Sequence, residues 1–374
     1  MRFQVERDVL AEAVAWTARA LPARPALPVL AGMRLQAREE LTLSSFDYDV
    51  SAQASLPVMV AEEGEVLVSG RLLAEITRSL PPRQVEVHTD GSRVMVVCGS
   101  AQFSLLMLPS EDYPALPEMP PSVGTVESDV FAAAVAQVAA AAGRDDTLPA
   151  LTGVRAEIEA DKLTLIATDR YRLAVRELRW KPARPDLEAA VLVPGKALAD
   201  TARALTAGAE VSIALALPGE SGDGMIGFSG GGRQTTTRLL GGEFPRYQAL
   251  LPDQVNAMAE LPAGPLAESV KRVALVAERN TPVRLSFTGG QLLLEAGTGD
   301  EAQATETLEA SYEGDDIQIA FNPSYLLDGL TAIDSDTVRI SFTAPAKPAV
   351  ITGKPDGDQA PDYRYLLMPI RLGG

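Results

Sequence analysis

The sequence predicts an α+β protein made of three similar domains in tandem, each carrying two helices on antiparallel sheets. Three observations lead there. One order of segments recurs three times along the 374 residues. Within each copy the apolar pattern switches between helical and strand periods. Proline and glycine break both periods between copies.

The first copy opens on an amphipathic stretch, residues 9–21, then runs through Leu27-Pro28-Val29-Leu30 into a strand-like segment at 41–47. The second repeats that order: 130–142, then Leu148-Pro149-Ala150-Leu151, then 163–169. In the third, Val270, Val273, Ala274 and Ala277 mark one helical face ahead of 281–287 and 292–296. Each copy has a second half, an extended segment leading into a helix, at 65–76, 190–200 and 317–328. The step from Pro28 to Pro149, or from Gly70 to Gly195, is on the order of 120 residues, the size of a domain rather than of a solenoid repeat. Interruptions at 117–121 and 261–265 serve as candidate boundaries, and the domains are expected at 1–122, 126–254 and 258–374. The glycine-rich run 219–232 reads as a hairpin tip and 356–362 as a mobile loop.

Composition narrows the function. Hydrophobic residues make up 46% and charged residues 22%, ordinary values for a folded chain. No apolar run reaches the roughly 20 residues of a membrane span, and residues 1–6 do not form an export signal, so a cytoplasmic protein without membrane contact is expected. Cys98 and His88 are each the sole residue of their type, which removes a cysteine cage, a histidine-rich metal site and most nucleophilic triads. No cofactor or catalytic residue is expected. A net charge of −17 repels phosphates at long range, so any contact with nucleic acid must be local or topological.

Several tempting motifs read more simply as structure. Gly230-Gly231-Gly232 lacks the Gly-Lys-Ser/Thr ending of a phosphate loop and is expected to be a turn. Glu306, Glu309, Glu313, Asp315 and Asp316 do not have the spacing of a calcium loop and suit a solvated surface. His88, beside Thr89-Asp90-Gly91, is expected as an exposed turn residue. Basic residues recur at matching places: Arg19 and Arg24 in the first copy, Arg144 in the second, Lys271 and Arg272 in the third, with Arg71 and Lys196 on the second-half helices. Singly they are solvated helix faces; as a recurring set they suggest a weakly positive surface for a phosphate backbone. The tail 365–372 keeps strong apolar residues close to the last position, which fits either a final core strand or the wall of a groove for partner peptides.

The three-fold repetition, the segment Thr168-Asp169-Arg170-Tyr171-Arg172-Leu173 and the terminal Met368-Pro369-Ile370-Arg371-Leu372 together resemble the bacterial DNA sliding clamps, the beta subunits of DNA polymerase III, over the full length. The resemblance implies three DNA-clamp domains per subunit and a head-to-tail homodimeric ring of six domains around double-stranded DNA. It further implies a processivity factor, placed by a clamp loader, that tethers replicative and repair DNA polymerases and other proteins carrying clamp-binding peptides. By resemblance the peptide groove comprises Leu151, Thr168, Arg170, Tyr171, Arg172, Leu173, Pro245, Leu250, Asn322, Tyr325, Pro348, Leu366, Met368, Pro369, Ile370, Arg371 and Leu372, and cyclic peptides are expected as its inhibitors. Arg24, Arg71, Arg144 and Lys196 are the implied DNA contacts, and Phe103 and Leu105 against Leu275 the implied dimer contact. The sequence departs from the common pattern where Arg170-Tyr171 replaces a Gly-His pair, Ala249 an arginine and Pro348 a serine. Two other readings stay open: a peptide-binding scaffold that does not encircle DNA, and a hydrolase using Asp169 or Asp200 with a recruited metal.

Overall fold

A computed structural model describes residues 1–206, 208–216, 224–252, 254–277, 281–297, 302–355, 357 and 360–371. Seven α-helices lie among the described residues: α1 (Arg7–Thr17), α2 (Gly70–Ser79), α3 (Ser128–Ala139), the single turn α4 (Pro149–Thr152), α5 (Gly195–Ala204), α6 (Ala263–Val273) and α7 (Pro323–Thr331). They stand where the repeat places them, two long helices to each copy with α4 as an extra turn. Among the described residues all strand pairing is antiparallel, so the α+β expectation holds. No helix among the described residues is long and apolar enough to cross a membrane.

The chain forms two compact units. One holds residues 1–132, 180–187 and 200–239. Its five-stranded sheet runs Met59–Glu62, Arg2–Glu6, Gln84–Asp90, Arg93–Cys98, Ala101–Leu106. A nine-stranded sheet brings in part of the second copy, because strand Arg233–Arg238 pairs with Val50–Leu56 of the first, Arg233 opposite Ala54 and Thr237 opposite Val50. Threonines and serines line that seam. Thr235 Oγ1 donates to the Ser51 carbonyl at 2.6 Å, and Ser51 Oγ and Thr236 Oγ1 share a hydrogen bond at 2.7 Å, so the buried hydroxyls are satisfied. Helices α1 and α2 pack together in this unit.

The other unit holds residues 133–179, 188–199 and 240–374. Its nine-stranded sheet joins the second copy to the third, strand Arg172–Arg179 pairing with Tyr363–Leu367. A four-stranded sheet and the packed pair α6 and α7 complete it. Tyr365, Phe287, Phe321 and Phe342 are among its fully buried side chains. Helix α7 starts at Asn322, whose Oδ1 accepts from the N–H groups of Ser324 (2.9 Å) and Tyr325 (3.2 Å), with Pro323 in the first turn where no N–H is needed. Gly329 lets α7 approach the sheet, since a β-carbon there would run into the Tyr365 ring.

Three local expectations change, and a fourth falls partly outside the described residues. Residues 261–265 are not a linker, because strand Ala257–Pro262 runs straight into α6 and Pro265 sits in its first turn, a place proline tolerates. His88 belongs to strand Gln84–Asp90, with Nδ1 3.5 Å from Glu86 Oε1, and the turn follows at Gly91. The glycine-rich hairpin turns at Gly231 and Gly232, both with positive φ, between Met225–Gly230 and Arg233–Arg238; residues 217–223 lie outside the described residues. Of the expected mobile loop 356–362, residues 356, 358 and 359 also lie outside them.

Candidate functional site

Strand Lys162–Thr168 returns as Arg172–Arg179 through a turn stapled by two side chains. Thr168 Oγ1 donates to the Arg172 carbonyl at 2.6 Å and accepts from the Arg170 N–H at 3.2 Å. Asp169 Oδ1 accepts from the N–H groups of Tyr171 and Arg172, both at 3.0 Å. Such side-chain caps make tight turns without glycine, and here they hold Arg170 at φ 77°, in left-handed backbone. The first copy has the same turn: Asp47 Oδ1 accepts from the Asp49 and Val50 N–H groups, and Tyr48 has φ 73°. What differs is that Phe46 stands in the place of Thr168, and that the next strand begins with Val50 in the first copy and with an arginine in the second.

Arg172 is 5% exposed and links the second copy to the third. Its Nε donates to Asp169 Oδ2 at 3.0 Å, its Nη1 donates to Asp328 Oδ2 on α7, and its guanidinium carbon lies 4.3 Å from the Tyr325 ring centroid. Tyr365 completes the network, donating from its hydroxyl to the Tyr325 carbonyl at 2.8 Å. Burial works against the charge on Arg172, but Tyr365 and the bonds to Asp328 and Asp169 hold its pKa above the ordinary arginine value. Burial raises the Tyr365 phenol, with Arg172 pulling the other way.

Above this network a cleft of about 600 Å³ opens, lined by Leu148, Leu151, Tyr171 and Tyr325 with Arg144, Asp145, Asp169, Arg170, Arg172, Ser324 and Asp328. The Tyr171 and Tyr325 rings stack with centroids 6.3 Å apart and an interplanar angle of 28°. Successive residues of a strand face opposite ways, so Leu173 turns to the other side of the sheet. There it packs with Ile166, Val175, Tyr247 and Leu366, and Phe244, Leu251 and Val350 rest against that cluster. The Tyr247 hydroxyl donates to Glu157 Oε2 at 2.9 Å, and burial first, then this bond, pushes its phenol upward. At the end of the sheet the Met368 N–H donates to the Tyr171 carbonyl at 2.9 Å and the Ile370 N–H to that of Ala320 at 2.8 Å, which holds the tail beside the turn.

The residues expected in the groove therefore play several parts. Leu151, Arg170, Tyr171, Arg172 and Tyr325 line the cleft. Thr168 and Asn322 shape the turn and the helix start. Leu173 and Leu366, 1% and 2% exposed, are buried floor rather than open wall. Leu250 and Met368 are exposed apolar side chains, Pro245, Pro348, Pro369 and Ile370 are half-buried and Arg371 is exposed, while Leu372 lies outside the described residues. Asp145, Leu148, Asp169, Ser324 and Asp328 also line the cleft and are not among the residues expected in the groove; Asp328 carries a sequence signal in its match to Asp200 of the second copy.

Of the expected DNA contacts, Arg24, Arg71 and Lys196 are exposed, and Arg71 Nη2 donates to the Pro22 carbonyl at 2.8 Å, beside the loop that carries Arg24. Arg144 is exposed as well and lines the cleft. Among the expected dimer contacts, Phe103 is exposed on the edge strand Ala101–Leu106 and Leu275 is 84% exposed. Leu105 corrects the expectation: it is 2% exposed, turned into its own core by strand alternation, and Leu106 carries the exposed apolar surface.

The sequence matches three family models of the DNA polymerase III beta subunit: the N-terminal domain over residues 1–117, the central domain over 125–246 and the C-terminal domain over 248–371. It is 61% identical over 377 residues to the beta sliding clamp of Streptomyces coelicolor, covering 100% of both chains. Identity to the beta sliding clamp homolog GriR of Streptomyces muensis is 47% over 375 residues, again covering 100% of both. Among solved structures, the DNA polymerase sliding clamp from Bacillus subtilis matches 100% of both chains with TM-score 0.90 and 25% identity. The sliding clamp of Pseudomonas aeruginosa bound to griselimycin does so with TM-score 0.90 and 28% identity.

Proposed function

The chain belongs to the DNA polymerase III beta subunit family, the sliding clamps, and from that membership we propose that it is a processivity factor that encircles duplex DNA as a head-to-tail homodimer in the cytoplasm. A clamp loader supplies the ATP hydrolysis, and the clamp itself catalyses nothing. Replicative and repair polymerases are tethered through short peptides seated around the Tyr171–Tyr325 cleft and the neighbouring apolar cluster. The griselimycin-bound relative supports a peptide-sized ligand for this family and the same inhibitor class here. The full-length match to all three family domains carries the reading.

Two features of this chain support a topological hold on DNA. With a net charge of −17, tight phosphate binding is not what retains the protein. Arg71 and Lys196 each occupy the second position of a helix, α2 and α5, in matching places of two copies. A cation there opposes the helix dipole and costs about 0.3–1 kcal/mol, a placement that serves an incoming phosphate better than it serves stability. Arg24 is exposed on the loop beside Arg71.

The test is retention. The protein is loaded by a clamp loader with ATP on nicked circular DNA, half the sample is linearised, and both are washed in high salt. Protein held on circles and lost from linear ends supports the ring; equal retention on both, or none on circles, rejects it in favour of a peptide scaffold.

A further inference from the structure

We propose that the cleft selects partner peptides carrying a carboxylate side chain next to their apolar anchors, through Arg144 and Arg170. This rests on the peptide-groove reading above and specifies the chemistry of its occupant.

Three acids and three arginines line the cleft, and their bonding separates them. Asp145 Oδ1 accepts from the Thr147 N–H (3.0 Å) and hydroxyl (2.6 Å). Asp169 accepts from the Arg172 Nε and from two backbone N–H groups, and Asp328 from the Arg172 Nη1. Arg172 is buried and fully engaged with the two aspartates. Arg144 and Arg170 are exposed, and among the described residues neither guanidinium enters an ion pair or a side-chain hydrogen bond. Each acid already holds at least one donor within the protein, whereas among the described residues the Arg144 and Arg170 guanidiniums hold no acceptor, so the unsatisfied cations of the cleft are these two. A planar guanidinium matches a carboxylate in bidentate geometry. Asp145 is the competitor within the cleft, since it feels the Arg170 charge, but its Thr147 bonds anchor it in its own turn.

Position strengthens the case. Arg170 is fixed in left-handed backbone by the Thr168 and Asp169 bonds, and Tyr171 beside it stacks on Tyr325, so the cation stands next to the aromatic surface where an anchor side chain would lie. The body of the protein, at −17, repels an acidic peptide at long range and favours a basic one. Three arginines balance three aspartates in the cleft, so the two exposed guanidiniums favour a carboxylate only where it reaches them directly, well inside the Debye length of about 8 Å at physiological salt. Selection therefore depends on where the acid sits relative to the anchors, not on the net charge of the partner.

The full-length protein is titrated by fluorescence anisotropy with labelled synthetic peptides that share Leu and Phe anchors and differ only in Asp, Ala or Lys beside them, on either flank. On one flank the Asp peptide is expected to bind roughly fivefold to tenfold tighter than the Lys peptide. That ratio falls towards one in the double variant Arg144→Gln/Arg170→Gln and inverts in Arg170→Glu. Reading a ratio within each variant cancels any loss of affinity common to all peptides, and a thermal melt of each variant verifies the fold. A ratio unchanged by the substitutions overturns the proposal, as does a wild-type ratio of one while the Ala peptide still binds. If none of the peptides binds the wild type, the groove reading itself fails. If the double variant loses retention on circular DNA with its peptide ratio intact, the arginines serve the duplex and the proposal is wrong.

Discussion

Arg172 and Asp328 stand 156 positions apart in the chain, yet the guanidinium of one donates to the carboxylate of the other and so ties the turn of the second copy to helix α7 of the third. Asp169 and the Tyr325 ring hold the same guanidinium from two further directions. The shape of the cleft hangs on this one side chain.

Replacing Arg172 with alanine leaves Asp169 without its cation and opens space under Tyr325, a loss of about 3 kcal/mol in urea unfolding. Arg172→Lys recovers little, because an ammonium cannot fork between two carboxylates. Asp328→Asn is milder, about 1 kcal/mol, since the Asp328 side chain is 44% exposed. All three are expected to weaken the neutral peptide.

Gly329→Ala places a methyl into the Tyr365 ring and forces α7 outward, at a cost of about 1–3 kcal/mol. Tyr365→Phe keeps the ring and removes the bond to the Tyr325 carbonyl together with the longer one from Arg172 Nη1, about 1 kcal/mol. Denaturant midpoints of the two variants separate crowding from hydrogen bonding.

Glu260 accepts from Lys354 (2.7 Å) and from Arg339 (3.0 and 2.7 Å), and these bonds, Lys354 first, hold its carboxyl below the usual value of 4.5. A depressed folded pKa gives stability that is present above the unfolded pKa and lost as the pH falls through the folded one. Glu260→Gln is therefore expected to lower stability by about 1 kcal/mol at pH 7. The gap to wild type should close on acidification below 4.5, read from melts across that range.

Left-handed backbone costs a side chain-bearing residue roughly 1–2 kcal/mol. Arg170→Gly and Tyr48→Gly remove that strain and return part of it as unfolded-state entropy, for a net gain of about 0.5 kcal/mol each. Arg170→Ala keeps the strain and should show no such gain in the same melts.

Leu275, 84% exposed, is the apolar side chain best placed to be covered by a second subunit. Leu275→Glu is expected to raise the dimer dissociation constant at least tenfold, about 1.4 kcal/mol, in sedimentation velocity, with the melting of each subunit little changed.

The fold was legible because the repeat carried it: once Leu27-Pro28 and Leu148-Pro149 are matched, the helices and strands after them fall into place twice. The turn at Asp169 was legible as a motif, and its twin at Asp47 shows the chemistry is local. Side-chain phase was harder. Leu105 and Leu106 are adjacent and equally apolar, so nothing in six residues says which one faces inward; the sheet decides it. Arg144 groups with the expected DNA contacts by its recurrence in the repeat and by resemblance, neither of which speaks of the cleft. The segment after it folds back, with the Gly143 N–H donating to the Leu151 carbonyl at 2.7 Å, and carries Arg144 into the cleft. Tyr365 lies 40 positions from Tyr325 and 193 from Arg172, distances at which no periodicity speaks.

The strand Arg172–Arg179 has a further consequence during synthesis. Its neighbour in the sheet is Tyr363–Leu367, and the cross-strand pair Glu177 and Arg364 is separated by 187 residues. A ribosome adding 5–20 residues per second needs about 10–40 s to cover that distance. Throughout that interval the nascent chain carries an unpaired strand edge, open to non-native pairing with other chains. Protection of that edge during synthesis therefore matters to this architecture as well as the contacts of the finished molecule.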